Sequence, residues 1–86
     1  MNVSDKLVID NNHSIEWGDA TWDEDDFSIR NRFDSDEGRF NKAGSSEIPW
    51  ADFNQMILES IRRNHFTNVQ IGDIARAIAD NISARP

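Results

Sequence analysis

The chain has 86 residues, no cysteine, and sixteen acidic against nine basic residues, which gives a formal net charge of −7. Its length predicts a single domain, 1–86, with a small core, and the lack of cysteine excludes disulfides and thiolate chemistry. No apolar run exceeds three residues, so we expect no membrane span and a cytoplasmic location. The acidity argues against affinity built on phosphate neutralisation.

The N-terminal half, residues 1–41, is acidic and shows the period of strands. Residues 7–9 are a short apolar run, and residues 14–17 alternate polar with apolar. Apolar side chains recur at alternate positions over 27–33, which predicts a strand with one buried face. Gly38 indicates a loop with positive φ, followed by a hairpin partner at 39–41. We therefore expect three or four short antiparallel strands.

The second half, residues 49–84, has the period of helices. Pro49 suits a first helical turn, and apolar residues at intervals of three, four and four predict a helix to Asn64 with one apolar face: Trp50, Phe53, Ile57 and Ile61. The same spacing predicts a second helix with the face Ile71, Ile74, Ile78 and Ile82. Thr67 and Gln70 fit a capping box, although Gly72 favours a start at Gly72 or Asp73. The expected fold class is α+β, with short antiparallel strands followed by two amphipathic helices that form a helical hairpin.

Sites of reaction chemistry are not indicated by any motif. The spacing of Asp34, Asp36 and Gly38 resembles the start of an EF-hand loop, but the glycine falls one position early and Ser45 stands where a bidentate Glu is needed. The two histidines, His13 and His65, lie far apart in polar segments. The four glycines form no phosphate-binding loop. We expect no metal, no cofactor and no catalysis.

A helix-turn-helix reading of the last two helices places residues 71–78 as a DNA-reading helix. The charges of that helix, from Asp73, Arg76, Asp80 and Arg85, cancel. DNA recognition needs a basic surround, which a chain of net charge −7 lacks. The isoleucine face more simply packs against the first helix or against a second copy of the chain.

Aromatic and acidic residues share one stretch of the N-terminal half. Its members are the candidate partner-binding residues: Trp17, Trp22, Asp23, Glu24, Asp25 and Asp26. Aromatic side chains provide most of the binding energy at interfaces, whereas charges steer encounter with a basic partner. This combination indicates a protein-binding inhibitor. The alternatives are that the tryptophans complete the core and that the acidic run is a solvated surface.

The stretch Ser28 to Trp50, SIRNRFDSDEGRFNKAGSSEIPW, followed by an amphipathic helix, resembles small proteins of temperate phages and prophages of enteric bacteria. Size, acidity and lack of cysteine are similar to those of the small antirepressors of Salmonella prophages. The resemblance implies a non-catalytic protein that is made when the host SOS response is induced, binds a phage repressor and releases it from its operators. It also implies oligomers.

Two mechanisms are compatible with such a protein. The acidic residues of 1–37 could occupy a DNA-binding face as phosphate mimics, or the apolar helix faces could build a dimer or tetramer that clamps the repressor outside its DNA-binding domain. The helix faces favour the second mechanism. The competing function is an acidic DNA mimic that inhibits a defence nuclease, as anti-CRISPR and anti-restriction proteins do.

Overall fold

The computed structural model describes all 86 residues and consists of a four-stranded antiparallel sheet followed by two helices. This architecture confirms the expected α+β class. The chain divides into two compact units, Met1–Asn54 and Gln55–Pro86, which are described separately below. The elements in chain order are β1 (Asn2–Asp10), β2 (His13–Asp19), β3 (Phe27–Phe33), β4 (Ser46–Pro49), α1 (Trp50–Arg62) and α2 (Asn68–Ala84).

The sheet has the spatial order β1-β2-β3-β4, so each strand pairs with its neighbour in sequence. The predicted strand at 27–33 is confirmed, but the expected hairpin partner at 39–41 is not a strand, because only Phe40 forms a bridge, with Asp34. The fourth strand is instead β4, whose Ile48 lies opposite Ile29. Gly38 has φ 81°, as the loop prediction required.

The buried face of the sheet is its polar face, contrary to the expectation that the alternating apolar side chains of β3 would be covered. Ser14, Glu16, Ser28 and Arg30 are buried, whereas Phe27 and Phe33 are exposed. The alternation itself is confirmed. Ala20 is the single buried hydrophobic residue of the whole chain.

Close packing of the strands requires glycine at position 18. A Cβ added to Gly18 would lie 2.0 Å from the backbone oxygen of Asn2, far inside any permitted contact. Gly18 pairs with Val3, and the register of β1 shifts between Val3 and Asp5. The register shift thus lies beside the position where a side chain on β2 would clash with the backbone of β1.

Both helices have well-formed ends. Helix α1 ends in a Schellman motif, because Asn64 has φ 59° and the N–H groups of His65 and Asn64 donate to the carbonyl oxygens of Ser60 and Ile61. Helix α2 begins at Asn68 with the predicted Thr67 capping box, so the later start at Gly72 or Asp73 was wrong. The cap satisfies N–H groups of the first turn and outweighs the low helix propensity of Gly72.

Neither helix buries any of its residues, and the two helices do not pack side by side. The isoleucine face of α2 is therefore not covered by α1, which leaves a second copy of the chain as the remaining expectation for that face. Neither helix combines the length and the apolar composition that a membrane span requires.

Candidate functional site

An ion-pair network forms the floor of the polar sheet face. Glu16 on β2 lies opposite Arg30 on β3, and its Oε1 accepts from the Nη2 and Nε of Arg30 at 2.7 and 2.9 Å. Arg32 lies 3.5 Å from the other carboxylate oxygen of Glu16 and donates to Asp34 at 2.8 Å. The hydrogen bond with Asp34 raises the pKa of Arg32. Every buried side-chain polar atom has a partner.

Arg30 has a second cross-strand neighbour, Glu47 on β4, on the edge of β3 that faces away from β2. Its carboxylate accepts from the N–H and Oγ1 of Thr21, at 2.8 and 2.6 Å, and from Ser28 Oγ at 3.0 Å. Partial burial acts to raise the pKa of Glu47, but these hydrogen bonds and the nearby amino terminus outweigh it, so the pKa is lowered. Glu47 ties the turn after β2 onto the sheet.

The acidic turn, residues 20–26, carries the exposed Trp22 and the four candidate acids. The turn is closed by a hydrogen bond from Ala20 N–H to the Asp26 carbonyl oxygen. Asp23 Oδ1 accepts from the N–H of Asp25, and Asp26 Oδ2 accepts from the indole N–H of Trp22 at 3.1 Å. Two of the acids, Asp23 and Asp26, therefore build the turn, whereas Glu24 and Asp25 have no side-chain partner.

A cavity of about 420 Å³ lies beside this turn, over the polar sheet face. Trp22 and Phe40 are its aromatic walls and are 49% and 40% exposed. The guanidinium carbons of Arg30 and Arg32 lie 4.6 and 4.8 Å from the centroid of the Phe40 ring. The remaining lining residues are Met1, Thr21, Arg30, Lys42, Ser45 and Glu47.

The two candidate tryptophans do not share a surface. Trp17 is half-buried on β2 and lies opposite Ile29 on the apolar sheet face. Trp22 lines the cavity together with Arg30, whose side chain points to the other side of the sheet from Ile29 because successive strand residues alternate. Of the two, Trp22 is the one that combines exposure with the acidic turn.

The first apolar helix face divides between the two units. In the first unit, the Trp50 ring contacts those of Phe27 and Phe53, with centroids 5.4 and 5.2 Å apart. In the second unit, Ile57 and Ile61 are half-buried.

The isoleucine face of α2, made of Ile71, Ile74, Ile78 and Ile82, is open. Ile78 is 55% and Ile82 is 65% exposed, whereas Ile74 is half-buried. Helical periodicity places Asp73, Arg76 and Asp80 on the opposite side of the helix. The face is therefore apolar and carries no charge along most of its length.

Sequence reasoning missed most of the cavity. Arg30 lies on the polar side of the β3 alternation, the side opposite the one expected to be buried; Glu47 was not singled out, and Phe40 was assigned to a strand. The available signal was that polar residues occupy alternate positions on both strands. These residues are either small or oppositely charged: Ser14, Glu16, Ser28 and Arg30.

No protein family, curated protein or solved structure matches this chain. The structure also contains no group of three His, Asp or Glu side chains arranged to hold a metal ion.

Proposed function

We propose that this protein is a phage antirepressor of the bacterial cytoplasm, a non-catalytic homo-oligomer that binds a phage repressor and relieves its operator binding so that the prophage is induced. The observation that carries the binding role is the near absence of an apolar core within one chain, in which Ala20 alone is a buried hydrophobic residue. The resemblance of Ser28 to Trp50 supplies the class of partner.

The open face of α2 supports an oligomer. The isoleucine face of α2 is the surface best suited to a second copy, because it is apolar, exposed and free of charge over most of its length.

The exposed Trp22 in the acidic turn supports a separate surface for the repressor. Its ring is held by the hydrogen bond to Asp26, so it loses little conformational freedom on binding. The free carboxylates of Glu24 and Asp25 flank it and would steer the approach of a basic, DNA-binding protein. Repressor is released from DNA only as far as the antirepressor prefers its DNA-free form.

Three features disfavour the DNA-mimic alternative. Asp23 and Asp26 are used within the turn, Glu16 is paired with two arginines, and Asp34 is paired with Arg32. The acidic half therefore presents fewer free carboxylates than its composition suggests. A helix-turn-helix role is disfavoured because Arg76 on α2 is paired with Asp73.

The test is a mobility-shift assay in which purified protein is added to the repressor of the resident phage on its operator DNA. We expect release of the DNA and a stable complex of the two proteins. Trp22→Ala should weaken the complex by about 2 kcal/mol or more, the scale of an interface hot spot. Met56→Ala, another exposed apolar residue, is the matched control and should leave it unchanged.

A double variant distinguishes an antirepressor from a DNA mimic. Neutralising the free acids together, Glu24→Gln with Asp25→Asn, leaves the turn-forming carboxylates in place. An antirepressor anchored by Trp22 should lose only part of its association rate, whereas a DNA mimic should lose inhibition entirely and show strong salt dependence. Failure of the wild-type protein to bind any phage repressor, with capture of a nuclease instead, would contradict the proposal.

A further inference from the structure

The cavity beside the acidic turn contains binding groups that the chain itself does not use. Most of its polar groups are already paired, since the Glu47 carboxylate accepts three hydrogen bonds and Arg30 is bound to Glu16. The Met1 amino group donates to Thr21 Oγ1 at 2.8 Å. What remains open is the exposed surface of the Trp22 and Phe40 rings and the ammonium group of Lys42, which has no carboxylate partner.

The two aromatic walls are fixed in place although they are exposed. Trp22 is held by its indole hydrogen bond to Asp26, and Phe40 is stacked under the guanidinium groups of Arg30 and Arg32. The backbone beside Phe40 is pinned by the hydrogen bond from Asn41 N–H to the Phe33 carbonyl oxygen at 2.9 Å. A ligand that enters the cavity would therefore meet walls that need little further ordering.

Charge distinguishes this cavity from the rest of the N-terminal half. Residues 1–37 contain eleven acids and three bases, yet the charged side chains that line the cavity are Arg30 and Lys42 against one carboxylate, Glu47. The volume of about 420 Å³ lies in the range of small-molecule sites, about 300–1,000 Å³. A small ligand with a planar apolar part and a negative charge would match the two rings and the Lys42 ammonium group that the chain leaves open.

We propose that this cavity is a binding site for a small aromatic anion, a planar ring that lies against Trp22 and Phe40 and carries one carboxylate or phosphate group directed at Lys42. The site is independent of the repressor-binding proposal, although occupation of the cavity would cover the Trp22 ring and would thus compete with a protein that uses the same side chain.

The test is a titration of the full chain with 2-naphthoate, followed by amide chemical shifts in ¹H–¹⁵N NMR spectra. We expect saturable shifts centred on Trp22, Phe40 and Lys42. Because ring stacking contributes about 1–3 kcal/mol, Trp22→Ala should weaken binding about tenfold. Lys42→Glu should weaken it about threefold to tenfold, since an exposed ion pair is modest and reversal adds repulsion.

Two controls keep the result specific. Lys6→Glu makes the same charge change at the other lysine of the chain, which does not line this cavity, and should leave the affinity within about twofold because distant surface charges are screened. The neutral amide 2-naphthamide should bind several-fold more weakly than 2-naphthoate. Shifts that fall on the helix faces instead, equal loss in both lysine variants, or equal affinity for the amide would overturn the proposal.

Discussion

The buried ion pair of the sheet offers the sharpest test of how this fold is held together. Glu16 is 2% exposed and carries the only carboxylate that contacts Arg30, itself 9% exposed. Glu16→Leu would leave that guanidinium buried without an anion. Removing one partner of a buried pair costs about 3–5 kcal/mol, which for a domain of this size is a large part of the total stability.

Urea denaturation followed by tryptophan fluorescence measures this loss. We expect the midpoint to fall by about 1–5 M, because the slope for a small domain is about 1–3 kcal/mol per M. Asp73→Asn, which removes the exposed partner of Arg76, is the matched control and should cost about 0.5 kcal/mol or less. The double variant Glu16→Leu with Arg30→Leu should recover much of the loss, since no charge is then left buried. A loss for Glu16→Leu no larger than that of the control would refute the reasoning.

Three further outcomes follow from the fold. Gly18→Ala should displace the start of β1 and lower the melting temperature, because the new Cβ has no room beside Asn2; an unchanged melting curve would contradict this packing. Thr67→Ala should cost about 1 kcal/mol by removing the cap of α2, measured by denaturation followed at 222 nm, and Thr67→Ser should retain most of it. The lowered pKa of Glu47 adds stability that is present above its unfolded value of 4.5 and is lost as the pH falls further, so Glu47→Gln should flatten the stability profile in that acid range; identical profiles would refute it.

The alternation of β3 and the capping box of α2 could be predicted from the sequence because each depends on residues close together in the chain. Which face of the sheet is covered could not be predicted from the sequence. That choice depends on contacts between residues far apart in sequence: Thr21 of the acidic turn donates hydrogen bonds to Glu47, and the Phe40 ring stacks against the Arg30 guanidinium. Local periodicity defines two faces of a strand but contains no information on which one a distant loop will cover.

The candidate site was predictable in part for the same reason. Trp22 and the acids stand next to each other in sequence, so their grouping was visible, and the structure places Trp22 at the surface. Lys42 and Phe40 reach the cavity through the long connection between β3 and β4, whose path no local pattern specifies. The openness of the α2 face was likewise hidden, because the isoleucine spacing is the same whether the face is covered by α1 or by another chain.

Sedimentation velocity on the purified protein at micromolar concentration is the most direct test of whether the apolar surface exposed on one chain is covered by other copies of the chain. We predict a dimer or tetramer for the wild-type protein and a monomer for Ile78→Lys, which places a charge in the middle of the isoleucine face. Val69→Lys, which changes a residue that is 73% exposed on the opposite side of the same helix, should retain the wild-type mass. A wild-type protein that sediments as a monomer would contradict the account, and so would an oligomer that Ile78→Lys leaves intact.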